Sequence, residues 1–208
     1  MKIVKPVATG GIGASVIRKE DERYLRGRGE FVADIKHFGM REVAFVRSPV
    51  AHGREVRVTK PLKYENDVFV AGDLDGISPI RADSSLPGFK SSLQPILAQQ
   101  KVRYVGELIA ACVANTRAEA EDIVNLVEVE IDTLPVVSDM LQARENNAPL
   151  VHDEWGDNIF LETYVEAEAD IEALKAEAEA SVTRTFRTSR QSMAPIEGRG
   201  VVAEWDRR

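Results

Sequence analysis

The most suggestive chemistry in this sequence is a glycine-rich stretch, Gly10-Gly-Ile-Gly-Ala-Ser15, just after Ile3-Val-Lys-Pro-Val7. Between a strand and a helix, such a turn presents backbone N–H groups and a helix N-terminus to a pyrophosphate. Here the spacing fails, because the third glycine position after Gly11 and Gly13 is Val16. The strand candidate also carries Pro6, and no apolar helix follows to pack on it. The stretch reads as a flexible arm. Three histidines, His37, His52 and His152, lie in separate segments without the i, i+4 spacing that would hold zinc. His52, within Arg47-Ser-Pro-Val-Ala-His-Gly53, reads as a turn or packing residue. The Asp73-Leu-Asp-Gly76 turn lacks the remaining oxygen ligands of a calcium loop. Cys112 sits in the apolar run Leu108-Ile-Ala-Ala-Cys-Val-Ala114 with no ligand-like neighbour, and reads as a small buried hydrophobe. No Gly-x-Ser-x-Gly elbow or phosphate-binding loop occurs. Residue chemistry alone therefore yields no catalytic residue and no metal site.

The elements that would position these groups are clearer. Residues 1–38 are rich in glycine and charge, with a short helix around Lys19 to Leu25 ended by Gly27 and Gly29. Strands are expected at Glu42-Val-Ala-Phe-Val-Arg47, Glu55-Val-Arg-Val-Thr59 and Asp67-Val-Phe-Val-Ala71, the last followed by a turn through Gly76. Pro79, Pro87, Gly88 and Pro95 mark residues 77–98 as a long connection. Val102 to Tyr104 and Leu108 to Val113 read as strands, the second apolar on both faces and so central. Thr116-Arg-Ala-Glu119 fits a capping box, and Ala120, Ile123, Val124 and Val127 make one apolar helical stripe. Glu119, Glu121 and Asp122 then fall on the polar face of that helix. The pattern switches to Val127-Glu-Val-Glu-Ile-Asp132, a period-two strand with carboxylates outward, and Ser138 can cap a short helix through Ala143. Strand, helix and strand in succession make an α+β unit with a half-exposed sheet. Beyond the polar junction 144–149, further strands are expected at 158–165, 181–188 and 201–206, with a helix over 170–180. The last alternation runs into Arg207-Arg208 and the chain ends there, which reads as truncation.

Composition narrows the partners. A net charge of −7 over 208 residues, with only Arg23, Arg26 and Arg28 clustered, argues against nucleic acid or an anionic membrane. There is no apolar core of a secretory signal and no run near the roughly 20 residues that span a bilayer. One cysteine excludes an internal disulfide, and the expected location is the cytoplasm.

Several ordered segments nevertheless resemble one family. They are Gly13 to Asp34 with its Glu-Arg-Tyr-Leu-Arg-Gly-Arg-Gly core, Ala44-Phe-Val-Arg-Ser-Pro-Val-Ala-His52 and Val102-Arg-Tyr-Val-Gly-Glu107. The series continues with Ala114 to Asp122, Val127-Glu-Val-Glu130, Ala148-Pro-Leu-Val-His152 and Ala194-Pro-Ile-Glu-Gly-Arg-Gly200. In that order and spacing they look like the start of the large subunit of molybdenum hydroxylases, a group with xanthine dehydrogenase, aerobic carbon monoxide dehydrogenase and bacterial N-heterocycle oxidoreductases. The resemblance implies an N-terminal arm (1–22), an α/β hammerhead domain (23–143) and, from 150 to 208, the truncated start of a molybdenum-cofactor-binding domain. It also implies a complete enzyme carrying molybdenum on molybdopterin cytosine dinucleotide, which hydroxylates carbon with oxygen from water. Iron–sulfur and flavin subunits, the remainder of the large subunit and a small-molecule substrate are the implied partners. The glycine-rich cofactor loops and the catalytic glutamate of such enzymes lie downstream of this sequence, so this chain alone is expected to bind no cofactor and to be inactive. Arg190, Gln191 and Glu197 stand where the chain would enter the cofactor region, and are the pocket-neighbourhood candidates. The rival readings are a non-catalytic hammerhead assembly module and one half of a split large subunit.

Overall fold

A computed structural model describes residues 11–12, 14, 16–166 and 169–206. Gly10, Gly13 and Ser15 of the glycine-rich stretch lie outside the described residues. The chain divides into two compact units, residues 39–183 and the pair of segments 1–38 and 184–208.

The larger unit is mixed α+β and is built on β7, Leu108–Ala114. β7 lies between β1, Glu42–Arg47, and β3, Val68–Val70, with both pairings antiparallel. Its central place follows from its composition, since only a strand apolar on both faces gains from cover on each side. Ala110, Cys112 and Ala114 point to one face, where they meet Val46, Val68 and the helix α2, Arg117–Val124. Ile109 points the other way, into a second core with Val56, Ala98 and Val102. Val129 packs against both cores.

α2 begins as its sequence demands. Thr116 Oγ1 accepts from the Glu119 N–H at 3.2 Å, and Glu119 Oε2 accepts from the Thr116 N–H at 3.2 Å. Ala120 and Ile123 are buried while Glu119, Glu121 and Asp122 face solvent. Thr116→Ala leaves the Glu119 N–H without its side-chain acceptor and is expected to cost about 1 kcal/mol. A urea denaturation midpoint unchanged by this substitution would show that the cap contributes nothing.

The strand after α2 does not return to the same sheet. β8, Glu128–Thr133, pairs antiparallel with β2, Gly53–Thr59, whose other neighbour is β6, Lys101–Val102. The expected strand–helix–strand unit is thus shared between two three-stranded sheets, because β7 already has both edges occupied. The outward carboxylates of β8 have a partner the sequence did not reveal. Arg57 donates to Glu130 at 3.4 Å and to Asp132 at 3.1 Å.

Elsewhere several expectations need correction. The long connection contains a small hairpin, β4, Ile80–Arg81, with β5, Leu93–Gln94. The strand expected at 102–104 ends at Val102, where Arg103 and Tyr104 turn toward Gly106 at φ +90°. The helix expected from Ser138 is a 3-10 turn, Gln142–Arg144, and Asp139 rather than Ser138 accepts the N–H groups of Leu141 and Gln142. No strand forms at 158–165, 181–188 or 201–206 among the described residues. Alternation supplies a face but not a ladder, and an extended segment without a paired neighbour leaves its backbone groups to solvent. In the 170–180 region a short α3, Ile171–Glu177, is capped by Asp170, which accepts from Glu172 and Ala173.

The smaller unit holds α1, Asp21–Leu25, whose chain turns away at Gly27, φ +66°. Tyr24 and Phe31 stack at 6.1 Å there, and Gly200 approaches Val32 so closely that a Cβ would overlap its side chain.

Candidate functional site

Three of the segments quoted above converge in the larger unit. The first is the loop after β1. Ser48 is buried; its Oγ donates to the Val50 carbonyl at 2.7 Å and accepts from the Val50 N–H at 3.2 Å, which tightens the loop. The second is the turn between β6 and β7. It is zipped to the first by Ser48 N–H to Glu107 carbonyl and Gly106 N–H to Ser48 carbonyl, each 2.8 Å. Only a residue tolerant of positive φ sits easily at Gly106, which explains the glycine before Glu107. The Glu107 side chain is buried and accepts from the Arg103 N–H at 2.5 Å. A buried carboxylate is acceptable here because its own turn supplies the donor.

His52 closes the first loop. It is 5% exposed, and its Nδ1 donates to the Pro135 carbonyl at 2.6 Å while its backbone carbonyl accepts from Leu134 at 3.0 Å. The expected turn or packing role is what the ring performs, tying the start of β2 to the end of β8. Its Nε2 is buried without a protein partner, as is Nε of Arg103.

The third, Ala148 to His152 with the residues that follow it to Asn158, lies against β6. Lys101 Nζ donates to the Leu150 carbonyl at 3.1 Å and to Asp153 at 2.9 Å. That hydrogen bond holds the Asp153 carboxyl below the usual carboxylate range. His152 stacks on Trp155 with ring centroids 4.1 Å apart. Burial, then the neighbouring Arg103 cation, pushes the His152 imidazole below its usual value, with Lys101 acting the same way and Glu154 opposing.

Chemically this is a set of clamps. No hydroxyl or thiol nucleophile stands beside a base in it. Cys112 lies in the sheet core, where burial pushes its thiol up to about 11 and keeps it protonated. Asp73 accepts from the Lys60 ammonium and from the Val70 N–H, each at 2.7 Å. No group of three or more His, Cys, Asp or Glu residues converges among the described residues. Arg190 and Gln191 are exposed on a segment without regular structure, and Glu197 accepts from the Val32 N–H at 3.0 Å. No hydrogen bond or ion pair joins these three to one another among the described residues. Lys101, Arg103 and Glu107 were missed as site residues. The available signal for Arg103 and Glu107 was the quoted segment Val102 to Glu107, which Lys101 immediately precedes, but the approach of Lys101 and Arg103 to His152 depends on chain reversals that no local pattern encodes.

Comparison with known proteins gives the context. Residues 26–135 match the family model described as aldehyde oxidase and xanthine dehydrogenase, a/b hammerhead domain. The chain is 32% identical, over 97% of its length, to the nicotine 6-hydroxylase large subunit of Paenarthrobacter nicotinovorans, and covers 25% of that protein. It is 30% identical, over 97% of its length, to the carbon monoxide dehydrogenase large chain of Hydrogenophaga pseudoflava, and covers 27% of that one. The chain thus spans about a quarter of the length of these relatives. Among solved structures, quinoline 2-oxidoreductase from Pseudomonas putida 86 superposes with a TM-score of 0.66 at 38% identity, covering 74% of this chain and 20% of that one. On the matched fold and sequence, the chain belongs to the aldehyde oxidase and xanthine dehydrogenase family by its a/b hammerhead domain.

Proposed function

We propose that this chain is the N-terminal portion of the molybdenum-binding large subunit of a xanthine dehydrogenase-type hydroxylase. The observation that carries the reading is a family hammerhead in a chain that aligns along 97% of itself with a quarter of a large subunit. In this reading residues 1–22 are an arm, 23–143 the hammerhead, and 150–208 the entry to the cofactor-binding region. Arg190, Gln191 and Glu197 line the approach to the cofactor, and the remainder of the large subunit completes it. The complete enzyme holds molybdenum on a molybdopterin cytosine dinucleotide and works in the cytoplasm with iron–sulfur and flavin subunits. This chain supplies no catalytic residue, binds no cofactor by itself and is inactive alone. Support for a role inside a larger body comes from the exposure of Phe186, Met193, Val201 and Trp205, each more than four-fifths accessible. Among the described residues, no helix is long and apolar enough to cross a membrane.

The test is to isolate the native protein through this chain and measure molybdenum alongside polypeptide masses. Molybdenum together with a longer polypeptide, or with a second chain carrying the missing region, is the expected result. A lone 208-residue polypeptide without molybdenum would overturn the enzyme assignment and leave the fold.

A further inference from the structure

Residues 149–160 have no strand and no α-helix, only a 3-10 turn, Asp153–Trp155, that ends at Gly156 with φ +75°. A segment of this kind needs other attachments, and here they are mostly polar. Two lysines act as clips. Lys101 reaches the Leu150 carbonyl and Asp153, and Lys90 reaches the Trp155 carbonyl at 3.3 Å and Asp157 at 2.5 Å. Asn158 fastens the segment to itself and to the preceding chain, accepting from the Val151 N–H and donating to the Ala143 and Pro149 carbonyls. The Lys90 N–H also donates to the Phe160 carbonyl at 2.7 Å.

At the centre of this attachment is a titratable ring. His152 is 17% exposed, with the Trp155 ring stacked on it. Lys101 on β6 and Arg103 in the following turn are the cations whose charge reaches it. Glu154 Oε1 is 3.4 Å from Nδ1, too poorly aligned for a full hydrogen bond, and this carboxylate opposes the cations by its charge and by that weak polar contact. Asp153 is committed to Lys101, and His52, on the loop before β2, also acts on Asp153.

We propose that residues 149–160 form a strap whose closed position is gated by His152: the neutral imidazole lets the strap lie on β6, and a proton taken from solvent by that ring loosens it. The inference goes beyond the assigned family role and holds whatever reaction the whole protein performs. Its sign follows from linkage. Burial and the two cations hold the ring in the closed strap below its ordinary value of 6.5, so the open strap binds more protons just below that value. Closure is therefore fully favoured above the ordinary histidine value and weakens as pH falls below it. The Asp153, Glu154 and Asp157 carboxyls are all held low, Asp153 and Asp157 chiefly by their lysines, so the clips themselves survive into far more acidic solution. The histidine response and the loss of the clips thus fall in separate pH ranges.

Hydrogen exchange read by mass spectrometry on the native protein tests this. After division by intrinsic rates, peptides covering 149–160 are expected to exchange at least about threefold faster near pH 5.5 than near pH 7.5, with β7 peptides unchanged. His152→Gln should flatten the response, and His52→Gln should keep it. Equal protection of the strap at both pH values, or a response that persists in His152→Gln, overturns the proposal. Should His152→Gln lose protection in β7 and so fail to fold, Arg103→Gln decides. Removing that cation shrinks the response if charge repulsion drives release, and an undiminished response overturns the mechanism.

Discussion

Ile109→Ala is expected to lower the stability of the hammerhead by about 2–5 kcal/mol, the range for removing a large aliphatic side chain from a packed core. Ile109 is 0% exposed and is among the largest fully buried side chains. Its position explains why the cost should sit high in that range. β7 turns Ala110, Cys112 and Ala114 toward α2, and Ile109 is the residue it contributes to the opposite core beside Val56, Ala98 and Val102. Among the described residues that second core has four buried members, and the partly buried Val50, Val58, Val129 and Ile131 around it are β-branched and stiff, so little can collapse into the vacated space. Urea unfolding followed by circular dichroism measures the effect. A loss below about 1 kcal/mol would mean that the second core is loosely packed and that β7 is held by the first core alone.

Gly53→Ala should be nearly as damaging, for the opposite reason. Gly53 begins β2 between Val102 of β6 and Thr133 of β8. A Cβ there would collide with Cγ2 of Ile131 and come within 3.1 Å of the Asp132 carbonyl and 3.4 Å of Val102 Cγ2. Ile131 is β-branched and stiff about χ1, and the carbonyl belongs to the backbone, so neither yields easily. Overpacking of this kind costs about 1–3 kcal/mol and shifts the strands apart. The residue before it is His52, whose ring and carbonyl bind Pro135 and Leu134. The expected result is a lowered urea midpoint together with faster hydrogen exchange at the Leu134 N–H. Wild-type stability in this variant would show that β8 can move aside freely, contrary to its packing against both cores.

Local patterns in the sequence were sufficient wherever the interaction that makes an element is itself local. β1 falls at Glu42–Arg47 as its run between polar residues requires, and α2 starts at the capping box its residues spell out. β8 keeps its carboxylates outward because alternation is a property of the chain itself. The central place of β7 was legible for the same reason, since apolar residues on both faces call for cover on both. Recognition of the family rested on the same short segments, taken in order.

Partners distant in the chain were another matter. Residues 158–165, 181–188 and 201–206 read locally as strands, the last by its alternation, yet none pairs among the described residues, because a ladder needs a neighbour that the segment cannot specify. Sequence placed β7, α2 and β8 in one unit, whereas backbone pairing sends β7 and β8 into different sheets. The candidate site shows the limit most clearly. His52, Glu107 and His152 each look like an ordinary loop residue in isolation. The Ser48–Gly106 zipper and the Lys101 clip bring their segments together, and the resulting burial and charge give His152 a property that its neighbours in sequence do not confer. Desolvation and Coulomb interaction depend on distance through space, and that distance is set only when the sheets have closed.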